Sequence, residues 1–153
     1  MIEQKELKMT KLHYHHPEWI VKTNESLTAD IVVYGGTSSG LIAAIAAKQE
    51  GNSVILLNPG VHLGGMTASG LGLTDIGNDA VVGGLTKTFY DNIVASNEEG
   101  YRWSFTPSCA QKVFDSMITE SGIEIKHACY LDKVLMKGKK IDQINFTNGL
   151  AVS

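Results

Sequence analysis

The stretch Ala29–Asn58 constrains the chain most. It reads as strand, glycine turn, helix, strand. Ile31–Tyr34 is a short apolar run with β-branched residues, too short for a helix and suited to a strand covered on both faces. Gly35-Gly36-Thr37-Ser38-Ser39-Gly40 then turns the chain sharply. Leu41–Glu50 is rich in alanine and free of proline, which favours a helix. Gly51 suits the left-handed conformation that closes one. Ser53–Leu57 reads as a second buried strand. This order predicts a parallel pair joined by a right-handed crossover. The fold class that follows is α/β, a Rossmann-like parallel sheet.

The chemistry follows from that geometry. A helix N-terminus presents unpaired N–H groups and partial positive charge, so it attracts a diphosphate. Gly35 and Gly36 permit a tight turn. Gly40, Ala43, Ala44 and Ala47 are read as a small-residue face that lets the helix approach the sheet. The dinucleotide fingerprint is G-x-G-x-x-G. Gly35 and Gly40 match its first and third glycines, and Thr37 stands at the second. A side chain there either crowds the phosphates or offers one a hydroxyl. The acid that anchors a ribose is expected at the end of the second strand, about 20 residues on. Asn58 stands there, 18 residues after Gly40. An amide brings no charge, so weaker ribose anchoring is expected.

Composition limits the alternatives. The 153 residues, 43% hydrophobic, are enough for one domain with a core. A formal net charge of −3 argues against a nucleic-acid partner. No apolar run reaches transmembrane length, and the charged start M-I-E-Q-K-E-L-K has no apolar signal core. A cytoplasmic location and no membrane partner are the expectations. Cys109 and Cys129 lack metal-type spacing and suit free thiols, with one disulfide left open. Met1–Thr28 is polar and reads as a leader, partly ordered at best, with residues 29–153 forming the domain. His13, His15 and His16 in that leader read as a solvated cluster rather than a metal site, and Trp19 and Ile20 as docking residues. Asn24-Glu25-Ser26 and Asn145-Phe146-Thr147 are taken as chance sequons.

Asn58–Gly84 is the second informative region. It holds eight glycines and neither a clear strand nor a clear helix. Unstructured loops longer than about 12–15 residues are uncommon in compact domains unless functional or disordered. This one is too apolar for an ordinary linker, and its glycines suit backbone lying against a flat ligand. His62 and Asp75 are its titratable residues. His62 is read as a histidine at the ligand's edge and Asp75 as a turn residue, and neither is assigned catalysis.

The remaining segments are legible as elements. Leu85–Ser96 reads as a helix facing inward with Leu85, Phe89, Ile93 and Val94, ending at Asn97–Gly100. Trp103 and Phe105 read as core residues in preference to stacking partners of a ligand. Thr106 and Pro107 mark the cap and first residue of another helix, closed by Gly122. Ile123–Lys126 reads as a third parallel strand. Tyr130–Met136 and Ile141–Thr147 alternate around Lys137-Gly138-Lys139-Lys140 as a small β-hairpin. Asn148-Gly149 marks a turn, and Leu150–Val152 begins a further strand.

Three motifs now carry a resemblance. V-V-Y-G-G-T-S-S-G-L-I-A-A, then N-P-G-V-H-L-G-G-M-T-A-S-G-L-G-L-T-D-I-G-N, then G-G-L-T-K-T-F-Y resemble the FAD-dependent oxidoreductases often called xanthan lyase-like. The likeness runs from about Asp30 to the end of the chain. It implies non-covalent FAD with its pyrophosphate at Gly35, Gly36, Thr37, Ser38, Ser39 and Gly40. Asn58, Pro59, Gly60 and His62 would lie toward the adenosine ribose. Leu63, Gly64, Gly65, Met66 and Thr67 would line the inner pyrophosphate and ribityl chain. Ser69, Gly70 and Leu71 would approach the flavin ring. Ala128 and Cys129 would meet the adenine.

The resembling enzymes are longer, and their substrate regions lie downstream. The expectation is therefore an N-terminal cofactor-binding portion, incomplete at its C-terminus and inactive alone, acting on an unidentified small molecule. Its partner would be the missing portion or another subunit. Two rivals stand beside it. One is an NAD(P)-binding reductase domain using the same turn, against which the long glycine loop argues. The other is a non-catalytic remnant or interaction module, to which Thr37 and Asn58 lend support.

Overall fold

A computed structural model of the chain describes residues 20–96 and 101–153. The expectations for His13, His15, His16, Trp19 and the helix end at Asn97–Gly100 lie outside the described residues. The elements are β1 (Ser26–Leu27), β2 (Ile31–Tyr34), α1 (Ser38–Gln49), β3 (Val54–Leu57), α2 (Gly84–Ser96), α3 (Pro107–Ser121), β4 (Glu124–Lys126), β5 (Leu131–Lys137), β6 (Lys140–Phe146) and β7 (Ala151–Val152). Strands β2, β3 and β4 form a parallel sheet in that order, with Ile31 opposite Val54 and Ile55 opposite Glu124. A second sheet has the order β1-β7-β6-β5.

Side-chain alternation along the parallel strands sets the layers. Ile31 and Val33, Val54 and Leu56, and Ile123 and Ile125 pack with Leu41, Ala44, Ile93 and Phe114 of the helices. Val32, Ile55 and Leu57 point the other way, onto Cys129, Phe146, Leu150 and Val152. The result is helices, parallel sheet and second sheet in three layers. All four residues of β3 are buried. Burial of four such side chains contributes on the order of 10 kcal/mol before chain entropy is set against it.

The ends of the helices follow local rules. Thr106 caps α3 by accepting from the Cys109 N–H, Pro107 is its first residue, and Gly122 closes it at φ +64°. Gly51 lies just past α1 at φ +88°. In α1 the small-residue reading needs one correction. Gly40, Ala44 and Ala47 share a face, but Ala43 is exposed on the solvent side.

Two further differences from the sequence reading come from long-range pairing. Residues 20–28 of the polar leader are held by strand pairing as well as by docking: β1 pairs in parallel with β7, and Thr23 N–H donates to the Asn148 carbonyl. Lys126 binds both Glu25 and Glu124, joining this segment to β4. The glycine loop is also more ordered than its composition suggests. It holds short 3-10 turns at Gly65–Ala68 and Asp79–Val81 and an antiparallel bridge between Leu73 and Ser104. Among the described residues no helix is long and apolar enough to cross a membrane.

Candidate cofactor site

The carboxyl ends of β2, β3 and β4 meet at one edge, where open α/β sheets bind their ligands. The glycine turn follows β2, Asn58 follows β3 and His127-Ala128-Cys129 follows β4. Backbone hydrogen bonds lock the three segments together. Gly35 N–H donates to the Leu57 carbonyl at 2.8 Å, Asn58 N–H to Lys126 at 2.8 Å and Cys129 N–H to Asn58 at 3.0 Å.

The turn has the geometry a diphosphate needs. Gly35 sits at φ +111°, in the region that favours glycine, with open space where a Cβ would stand. At Gly40 a Cβ would collide with the Gly35 carbonyl oxygen, so only glycine lets α1 start this close to β2. Thr37 is the N-cap of α1, and its Oγ1 accepts from the Gly40 N–H at 3.1 Å. The side chain at the second fingerprint position thus caps the helix. The N–H groups of Thr37, Ser38 and Ser39 have no protein acceptor among the described residues. Three unpaired donors at the positive end of a 12-residue helix suit an anionic group.

The segment after β3 folds back over this turn. Gly64 N–H donates to the Gly36 carbonyl at 2.8 Å. Ser38 Oγ–H donates to the Gly64 carbonyl at 2.7 Å, and its oxygen lies 2.8 Å from Thr67 Oγ1. Leu63 and Gly64 are buried, whereas Met66, Ser69, Gly70 and Leu71 are exposed. The polypeptide thus lies as an open apron beside the helix N-terminus. Hydroxyls of Ser38, Ser39, Thr67 and Thr86 and the rings of Phe89, Tyr90 and Phe114 line a cavity of about 240 Å³ next to it. A larger cavity of about 460 Å³ lies elsewhere, at Ile45, Lys48, Met117 and Glu120 among the helices. It is remote from the strand ends, so geometry favours the smaller one.

Several expected site residues have specific roles here. Asn58 is buried, and its amide is turned into the protein. Pro59 is half-buried, while Gly60 and the His62 side chain are exposed beside it. Ala128 holds φ +55°, unusual for a residue with a Cβ, and its N–H reaches the Gly60 carbonyl at 3.4 Å. Cys129 is fully buried, and burial pushes its thiol pKa up, as expected of an inert cysteine. Cys109 is also free, so the open disulfide alternative does not occur. Asp75 is exposed, and the described residues hold no cluster of metal-ligating side chains. Phe105 is buried in the core as expected, whereas Trp103 is half-buried at its edge, its ring 4.5 Å from that of Tyr90 and tilted by 56°.

The sequence reading missed the Ser38–Gly64–Thr67 network, the partners of Asn58 and the contribution of α2 to the cavity. Only the Thr37-x-x-Gly40 spacing carried a local signal of one part, the helix cap.

Comparison with known proteins decides the family. The model of the family described as FAD dependent oxidoreductase matches residues 30–152, nearly the whole described domain. The chain belongs to the FAD-dependent oxidoreductase family. FAD is the cofactor this membership identifies, and the cradle above fits its diphosphate. No curated protein matches the sequence. Solved structures share the fold at low identity. An L-amino acid deaminase from Proteus vulgaris matches at 15% identity and TM-score 0.59, over 86% of this chain and 47% of its own. A 3-ketosteroid-Δ4-(5α)-dehydrogenase from Rhodococcus jostii matches at 13% and 0.58, over 82% and 44%. A thioredoxin reductase from T. acidophilum matches at 21% and 0.52, over 78% and 31%. The FAD-dependent oxidoreductase chain thus spans less than half of these neighbours.

Proposed function

We propose that this chain is the FAD-holding portion of a flavoprotein that oxidises or reduces a small molecule. The observation that carries the reading is the set of unpaired N–H groups on Thr37, Ser38 and Ser39 at the start of α1, facing an open glycine turn. Gly35–Gly40 would hold the pyrophosphate. Pro59, Gly60, His62 and Ala128 would border the adenosine end, while Cys129, fully buried with its N–H on Asn58, would stand behind them. Leu63–Thr67 would border the ribityl chain, and Ser69–Leu71 the flavin ring. FAD, when bound, supplies the redox chemistry of its ring. The residues of this chain orient it: the turn fixes the diphosphate, and the apron covers one side and excludes water there. The exposed apolar side chains Met66, Leu71 and Leu73 suit a surface that further protein or cofactor covers.

The span of less than half of the matched structures supports further polypeptide supplying the substrate region. The three motifs quoted above support placement in the xanthan lyase-like branch, and a cytoplasmic location is proposed with it. The chain is expressed, incubated with FAD and desalted, and flavin absorbance is recorded. Retained flavin, released on denaturation, is the expected result. Loss of all flavin on desalting, with no saturable quenching of flavin fluorescence, would overturn the reading.

A further inference from the structure

Asn58 occupies the position where general dinucleotide-binding logic asks for an acid that holds the adenosine ribose. Its surroundings show a different employment. Oδ1 accepts from the Gly36 N–H at 3.1 Å. Nδ2 donates to the Gly60 carbonyl and to the His62 carbonyl, both at 3.0 Å. Its backbone N–H and carbonyl are also used, by Lys126 and Cys129. Both amide hydrogens are therefore committed, and the residue is only 5% exposed. Oδ1, the atom that would have to accept from a ribose hydroxyl, is spent on the Gly36 N–H and buried with it.

An acid would fail in this place. A carboxylate has no hydrogen to give, so its second oxygen would face two carbonyl oxygens. Glycine at 36 belongs to the same arrangement. A Cβ there would run into Leu63 and would stand 2.9 Å from the Asn58 amide carbon and oxygen. Asn58 thus ties together the turn that receives the diphosphate and the loop that starts the apron.

We infer that Asn58 is a positioning residue: it clamps the glycine turn to Gly60–His62 and sets the shape of the FAD cradle without touching the ribose. The inference rests on the FAD reading for its effect on binding, but the clamp itself has a separate readout in the cofactor-free chain.

The test compares wild type, Asn58→Asp and Asn58→Ala, each measured for thermal unfolding without cofactor and for FAD affinity. The probes are FAD and its 2′,3′-dideoxyadenosine analogue, across pH 5 to 8.5. The removed clamp predicts FAD binding weaker by about tenfold in Asn58→Ala, since two part-buried carbonyls and a buried N–H lose their partner. The same factor is expected with the dideoxy analogue. Asn58→Asp is expected to be weakest at pH 8.5 and to recover toward pH 5, as its carboxyl gains a proton it can donate. His62, His127, Lys126 and Cys129 also lie around this position. All four are present in wild type, whose own pH profile is subtracted.

Unchanged unfolding temperature with tighter FAD binding in Asn58→Asp would overturn the inference. So would a loss in Asn58→Ala that disappears with the dideoxy analogue, because that marks direct ribose contact. Where Asn58→Asp folds only at low pH, the charge argument is upheld. Where it folds at no pH, Asn58→Ala decides. If wild type binds no FAD but both variants still unfold earlier, the clamp stands and the FAD reading falls.

Discussion

Replacing Gly40 by alanine sets two magnitudes against each other. Gly40 lies in the first turn of α1, where alanine is favoured over glycine by up to about 1 kcal/mol. Propensity alone therefore predicts a more stable protein. The structure predicts the reverse. A Cβ at Gly40 would overlap the Gly35 carbonyl oxygen. Both groups are attached to backbone, so no rotamer change relieves the contact. Either α1 moves outward from β2 or the turn at Gly35 reopens.

Overpacking of this kind costs about 1–3 kcal/mol or more, and the upper part of that range exceeds the propensity gain. A net loss of about 1–2 kcal/mol lowers Tm by roughly 2–8 °C for a chain of this length. The displaced N–H groups of Thr37, Ser38 and Ser39 should weaken FAD binding by about tenfold for each 1.4 kcal/mol lost. Thermal unfolding of the cofactor-free chain and a flavin fluorescence titration measure the two effects. Ala43→Gly, at an exposed position of the same helix, reports the propensity term alone. If Gly40→Ala raises Tm and leaves FAD affinity unchanged, the close approach of α1 to β2 is refuted.

Two other perturbations test neighbouring features. Thr37→Ala removes the hydroxyl that caps α1 and should cost about 1 kcal/mol in urea unfolding, whereas Thr37→Ser should restore most of it. A thiol reagent should label Cys109 in the native chain and Cys129 only after denaturation. Burial raises the Cys129 pKa above its unfolded value of 9.0, so the unfolded state loses its proton first. Stability should therefore fall as pH rises past about 9, and Cys129→Ala should abolish that part of the slope.

What was readable in the sequence was what neighbouring residues decide. Short continuous apolar runs marked β2 and β3, and Thr106, Pro107 and Gly122 marked α3 through caps that act within one turn. The β5–β6 hairpin was visible because Gly138 sits between two alternating runs and takes φ +64°. The rest depends on residues far apart in the chain. β1 is two residues long and exists through β7, 125 positions away. Spacing shows where the Asn58 side chain stands and not which way its amide turns, so its bonds to Gly36, Gly60 and His62 had no local signal. Ala43 looked equivalent to Ala44 because composition carries no helix phase. The Ser38–Thr67 contact joins two polar residues whose spacing of 29 has no local signature.

The pairing of β1 with β7 has a topological consequence. Ala29 N–H donates to the Ser153 carbonyl, and the Thr28 and Ser153 hydroxyls lie 3.3 Å apart. The segments just before β2 and just after β7 are therefore pinned side by side, like a purse drawn shut at the neck. A circular permutant with new termini at the exposed Gly138 tip has to keep β1, so its bridge runs from Ser153 to a residue before Thr23.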